Sequence, residues 1–279
     1  MADYRRRRLI SRLGLGLCVA ATGLAVLPLF SVLFYVLARG IGALDLAFFT
    51  QMPKPVGEPG GGIANAIVGS LVMVGLGSAM GIPVGIMAGV YLAEYGRGRF
   101  AQAVRFLTDV FMGVPSVVIG VFLYAVLVVS AGGFSALAGA VSLALIIIPL
   151  ATRTTDEMLR LVPASLREAS LALGATKART IVSVVLRSAS GGVLTGVMLA
   201  LARAAGETAP LLFTALSSRH WSLSLGEPMA SLPVYIYTYA ISPFADWQSQ
   251  AWGAALVLVV LVLVLNLLAR IASRGHYRY

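Results

Sequence analysis

The chain has 279 residues, of which 59% are hydrophobic and 11% charged, with a formal net charge of +10. Soluble domains carry about 25% charged residues, so the composition excludes an ordinary soluble globule. The positive charge does not point to nucleic acid, because the basic residues flank apolar segments and form no aromatic-interleaved patch.

The N-terminus reads Arg5-Arg6-Arg7-Arg8 and then an apolar run from about Leu13 to Leu37. A secretory h-region is about 7–15 residues, so this longer run is expected to be a retained first membrane helix after a basic tail, residues 1–12. It carries the single cysteine, Cys18, so neither an intrachain disulfide nor a cysteine-based metal site can form. Residues 38–63 hold Pro53, Pro55, Pro59 and Gly60-Gly61-Gly62, which is loop chemistry. A second apolar run covers 64–92; Gly81 and Gly85 within it allow another helix to approach closely, and Gly81-Ile82-Pro83 punctuates it. Glu94 at its end can pair with Arg97 and is given no transport role.

The third run, 106–131, contains Gly113-Val114-Pro115 and opens next to an i, i+4 pair, Arg105 and Asp109. The fourth covers 134–152, includes Pro149 and ends at Arg153. Between it and the fifth run, 191–216, lies the segment 153–190. Pro163 cannot continue a preceding helix, Ser165 with Glu168 makes a capping box, Gly174 suits a helix C-cap, and Thr176 can cap a further helix to about Val185. The expected unit is a helix-Gly-helix knob; an amphipathic loop on lipid headgroups is the alternative.

The fifth run carries Arg203 and Glu207 among apolar neighbours. A charge at the bilayer centre costs on the order of 2.5–3.5 kcal/mol, so such residues face a protein interior or a wet pathway. At i, i+4 the two share a helix face and can neutralise each other, either in a pathway or as a structural ion pair. Residues 217–250 carry Trp221, Tyr235, Tyr237, Tyr239 and Trp247, which suit a membrane interface. Within them 232–241 is predicted to be a short interfacial or re-entrant helix, or a docking surface for an outside partner. A sixth run, 251–271, precedes a C-terminal tail, residues 272–279.

The predicted fold is an all-α membrane protein with six transmembrane helices in one domain, residues 13–271. The runs are continuously apolar rather than alternating, which does not fit a closed β-barrel. Lys and Arg cluster at 5–8, 12, 97, 99, 105, 153, 160, 167, 177, 179, 187, 270, 274 and 278, leaving Arg39, Lys54 and Arg219 for the opposite side. The positive-inside bias therefore predicts both termini and the 153–190 loop in the cytoplasm.

Glu168-Ala169-Ser170, three residues, Gly174, nine residues, Val184, one residue, Leu186 resembles the EAA loop of ABC-importer permeases. The family pattern has Ala, Ile and Pro where this chain has Ser170, Val184 and Arg187. Arg153-Thr154-Thr155, Leu92-Ala93-Glu94-Tyr95-Gly96, the run from Gly206 to Leu216, and Gly60-Gly61-Gly62-Ile63-Ala64-Asn65-Ala66 are similar to the phosphate-importer permeases of the PstA family. The similarity covers nearly the whole chain.

The resemblance implies a permease in a bacterial inner membrane, paired with a second, PstC-like permease. It further implies two copies of a PstB-like ATPase, which bind ATP and Mg, and an outer PstS-like phosphate-binding protein. The loop residues Glu168, Ala169, Ser170 and Gly174 would couple to the ATPase. Arg203, held by Glu207, would contact phosphate, its guanidinium matching a pair of phosphate oxygens. Arg153 would be an exit-side anion contact or a snorkelling anchor. No cofactor is expected in this chain, and no Gly-x-x-x-x-Gly-Lys-Ser/Thr loop is present. Another oxyanion (molybdate, sulfate, a phosphonate) and a passive anion channel are the alternatives. An intramembrane hydrolase is disfavoured, because His220 and His276 lie outside the runs on opposite sides and no His-Glu-x-x-His motif exists.

Overall fold

The computed structural model describes residues 2–55, 58 and 60–274. Pro59, His276 and the last five residues of the expected C-terminal tail lie outside them. The described chain is all-helical. In order it forms α1 (Ala2–Gly40), α2 (Leu46–Thr50), α3 (Ala64–Val90), α4 (Gly98–Gly113), α5 (Ser116–Leu123), α6 (Val129–Ala131) and α7 (Ala136–Arg160). Then follow α8 (Ala164–Ala172), α9 (Lys177–Thr180), α10 (Leu186–Ala205), α11 (Ala209–Thr214), α12 (Leu232–Ala240) and α13 (Ala245–Arg274). π-helical turns at Tyr91–Tyr95, Tyr124–Val128 and Ile181–Val185 join or extend neighbouring helices. Among the described residues five segments are long and apolar enough to cross a membrane: Arg6–Ala43, Ala64–Tyr95, Ala136–Arg160, Lys177–Ala205 and Ala245–Leu267. The bent pair Gly98–Gly113 and Ser116–Ala131 makes a sixth if it is one span.

α7 is the central helix. Its most apolar window is 67% buried, against 33% or less in the other four long segments. The reason lies in the glycines that face it. A Cβ on Gly77, Gly81, Gly85 or Gly89 of α3 would lie 2.5–3.0 Å from atoms of α7, among them Ala140 O, Ala144 O, Ala151 Cβ and Thr155 Cβ. In lipid, helix association rests on such backbone approach rather than on apolar burial, since the tails are as apolar as leucine. On α10, Gly192 and Gly196 make the same kind of room for Met158 and Thr154 of α7. Pro83 and Pro149 sit inside α3 and α7 without ending them, as Pro28 does in α1.

Three expectations need correction. The run 106–131 is not one straight helix: it bends by 100° where Val114 and Pro115 are extended (ψ 128° and 132°). Proline disfavours the helical region for its predecessor, and Val114 takes the extended alternative at the break. The run 191–216 is also interrupted. Its helix begins upstream, continues from Lys177 through the π turn, and ends at Ala205; Gly206-Glu207-Thr208 then lead into α11. The second halves of these two broken segments pack together, and a Cβ on Gly120 of α5 would lie 2.8 Å from Pro210 Cα of α11. Finally, Ser165 is not a cap. Pro163 occupies the N-cap of α8 and Ser165 lies within the helix, so the capping box does not form.

The predicted short helix at 232–241 is present as α12. Its Tyr239 stacks on Tyr235 and on Trp247 (ring centroids 3.9 and 4.3 Å apart), with Arg219 over the Trp247 ring. Tyr235 donates to Gln250 Oε1 at 2.6 Å. Burial pushes the hydroxyl pKa of both tyrosines up, so the stack is uncharged at neutral pH.

The glycine contacts predict an asymmetric response to one added methyl. Gly85→Ala is expected to destabilise by about 1–3 kcal/mol through overpacking against α7. Gly75→Ala, which meets nothing within 4 Å, is expected to leave stability unchanged or slightly raised. Thermal melts of the two purified variants in detergent check this.

Candidate functional site

Two groups of polar residues stand out against the apolar bundle. One surrounds the turn from α7 into α8. α7 ends at Arg160, because Pro163 supplies no N–H to extend it, and α8 starts at once. Gly174 follows α8 at φ +81°, a left-handed conformation that glycine adopts without strain. Thr176 then caps α9, its hydroxyl accepting from Arg179 N at 3.3 Å. The helix-Gly-helix knob thus exists, although its second helix is not short and runs on to Ala205.

Only Arg167 and Ser170 of α8 turn inward. Glu168, Ala169 and the apolar Leu166, Leu171 and, just beyond, Leu173 (89% exposed) face outward. Ser170 shares a 2.9 Å hydrogen bond with Thr180 of α9. Arg167 donates to Glu94 Oε1 at 2.7 and 3.0 Å, to Leu159 O at 2.8 Å and to Val162 O at 2.5 Å. Lys177 donates to Glu94 O at 2.9 Å and lies over the Tyr95 ring at 4.0 Å. Glu94 therefore pairs with Arg167, not with the nearby Arg97.

The expected Arg105–Asp109 pair is likewise replaced by ties between helices. Arg105 bonds Asp156 (2.9 Å) and Leu92 O (2.5 Å), while Asp109 bonds Arg153 (3.1 Å). Asp156 also accepts from Arg160, and Arg153 donates to Glu157 at 2.6 Å. Arg153 lies inside α7 rather than at its end, and two carboxylates hold its guanidinium. Nothing local in the sequence marks these partners, since they depend on how α4 and α7 register.

The second group is Arg203 with Glu207. They do not share a helix face: Arg203 occupies the last turn of α10, and Glu207 follows the helix end, in the break before α11. Arg203 Nε still lies 3.5 Å from Glu207 Oε1, with side-chain exposures of 43% and 14%. A cation in the last turn faces the partial negative charge of the helix end, so Arg203 is favoured there twice over. Among the described residues no His, Cys, Asp and Glu cluster could hold a metal.

Residues 81–276 match the family of binding-protein-dependent transport system inner membrane components. The chain is 47% identical over 273 residues to the phosphate transport system permease protein PstA of Yersinia pestis, covering 97% of this chain and 92% of that one. It is 36% identical over 260 residues to a probable PstA of Methanocaldococcus jannaschii, covering 93% and 92%. Among solved structures it resembles a bacterial alginate ABC transporter chain (TM-score 0.68, 16% identity, covering 98% and 96%) and an inward-facing MetNI methionine ABC transporter chain (0.66, 20%, 77% and 96%). At those identities the likeness is one of fold.

The ion pairs differ in burial, and this predicts different costs. Asp156 is 5% exposed and serves two arginines, so Asp156→Asn is expected to cost about 3–5 kcal/mol. Asp109 is half exposed, and Asp109→Asn is expected to cost at most about 1 kcal/mol. Unfolding temperatures of the two variants test the difference.

Proposed function

Since the chain belongs to the PstA family of binding-protein-dependent inner-membrane permeases, we propose that it forms half of the translocation pathway of an ATP-driven importer of inorganic phosphate. It is a permease subunit and hydrolyses nothing itself. The second half is a related, PstC-like permease. Two PstB-like ATPase subunits bind the cytoplasmic face, and a PstS-like protein delivers phosphate from outside. The names of the relatives support phosphate as substrate.

The topology that accompanies this function has six spans, with the bent α4–α5 segment as the third and both termini in the cytoplasm. The side distribution of Lys and Arg supports it. The knob of α8 and Gly174 then faces the ATPase. Its outward leucines, Leu166, Leu171 and Leu173, offer apolar surface to a groove, and Glu168 offers a charge at its rim.

The observation that carries the pathway assignment is the position of Arg203 at a broken helix. Arg203 lies about 24 Å along the helix beyond Arg187, and the hydrocarbon layer is about 30 Å thick. If Arg187 marks the inner surface, α10 ends while still within the membrane. Irregular backbone at that depth is tolerated where it is buried in protein or lines a wet cavity. Arg203 can therefore meet a phosphate oxygen pair, while Glu207 keeps the empty site near neutral so that the anion is released again. Arg153, already shared by Asp109 and Glu157, acts as a tie between α4 and α7 rather than as an exit-side contact.

Labelled-phosphate uptake in transport-deficient bacteria expressing this chain with its partners tests the function. ATP-dependent uptake that resists excess sulfate, molybdate and phosphonate is expected; uptake displaced by one of them reassigns the substrate. Arg203→Gln is expected to abolish uptake while the complex still assembles, whereas loss of assembly would make the pair structural. Arg153→Lys is expected to retain uptake.

A further inference from the structure

The knob is tied to the bundle in a way that simple coupling through its own chain does not require. α8 joins α7 through Leu161-Val162-Pro163, and proline leaves no helical hydrogen bond across that joint. A push on α8 would pivot there unless a second connection resisted it. Arg167 is that connection. It binds Leu159 O in the last turn of α7 and Val162 O in the joint with two guanidinium nitrogens, and Glu94 with Nε and Nη2. Glu94 is 7% exposed and sits in the π turn that extends α3. α9 converges on the same turn through Lys177, and Ser170–Thr180 joins α8 to α9. Both sides of the knob therefore end on Glu94 and Tyr95.

We infer that Glu94 is a positioning residue of the coupling step, transmitting movement of α8 to α3 through Arg167. This rests on the ATPase-coupling role proposed for α8. Because Gly77, Gly81, Gly85 and Gly89 hold α3 against α7 at backbone distance, a load delivered at Glu94 moves α3 and α7 together. Without the Glu94 carboxylate the ATPase still grips α8, whose outward face is unchanged, and Arg167 still holds Leu159 O and Val162 O, but the direct side-chain link from α8 to α3 is gone and less of the movement reaches the spans. A rigid guanidinium fork suits this task, since it fixes direction as well as distance.

The test uses the complete transporter in proteoliposomes, with the second permease, the ATPase and the binding protein. It reads phosphate taken up per ATP hydrolysed, a ratio that does not depend on how much complex assembles. Glu94→Ala, Arg167→Ala and the double variant are each expected to lower the ratio by roughly tenfold, within the usual range for coupling between linked sites. The double variant is expected to be no worse than either single one. The ATPase is expected to co-purify as with wild type, and Glu94→Asp to retain most of the ratio. Should the alanine variants fail to assemble, Glu94→Gln, which keeps an acceptor oxygen but loses the charge, is measured in their place with the same lowered ratio expected. A wild-type ratio in assembled variants overturns the inference. So does failure of every variant to assemble, the glutamine form included, which would assign the pair to folding. A wild-type complex that takes up no phosphate overturns the underlying function, and the inference with it.

Discussion

Everything in this bundle depends on the close contact of α3 with α7 along a row of four glycines. Removing side chains from one helix face lets backbone meet backbone, which is the main source of attraction available where solvent gives no hydrophobic drive. The contact fixes the register of the two helices along its length. It also sets where their charged ends meet, so that Glu94 reaches the knob and Asp156 and Arg153 reach α4.

The charged residues are correspondingly ordered. Arg105–Asp156 and Asp109–Arg153 run in opposite senses between α4 and α7, which disfavours any shift in register that would bring like charges together. Of the two, Asp156 is the buried carboxylate, and its loss is costly mainly because it strands the charge of its partners. Arg203 and Glu207 stand apart from this network. Their contact is longer, at 3.5 Å, and Arg203 is partly exposed.

Two breaks give the bundle its other feature. α4 turns into α5 at Pro115, and α10 gives way to α11 at Gly206, and the halves beyond the breaks pack through Gly120 and Pro210. A span in two pieces can move one piece while the other stays anchored, whereas an unbroken helix moves as a rod. The arrangement suits a permease whose pathway opens to either side in turn.

Much of this was legible in the chain itself. Long apolar runs reveal membrane helices because hydropathy depends only on local composition and length. The helix-Gly-helix knob was readable because proline and glycine act on their own backbone, and the close-packing glycines Gly81 and Gly85 because they lack side chains. The tertiary structure decided what sequence spacing left open. Arg105 prefers Asp156 over the i+4 Asp109, Glu94 takes Arg167 over Arg97, and Glu207 pairs with Arg203 from beyond the helix end rather than along its face. Hydropathy tells how deep a residue can sit. Which charge meets which depends on the relative register of separate helices, and that is set by contacts between residues far apart in the chain.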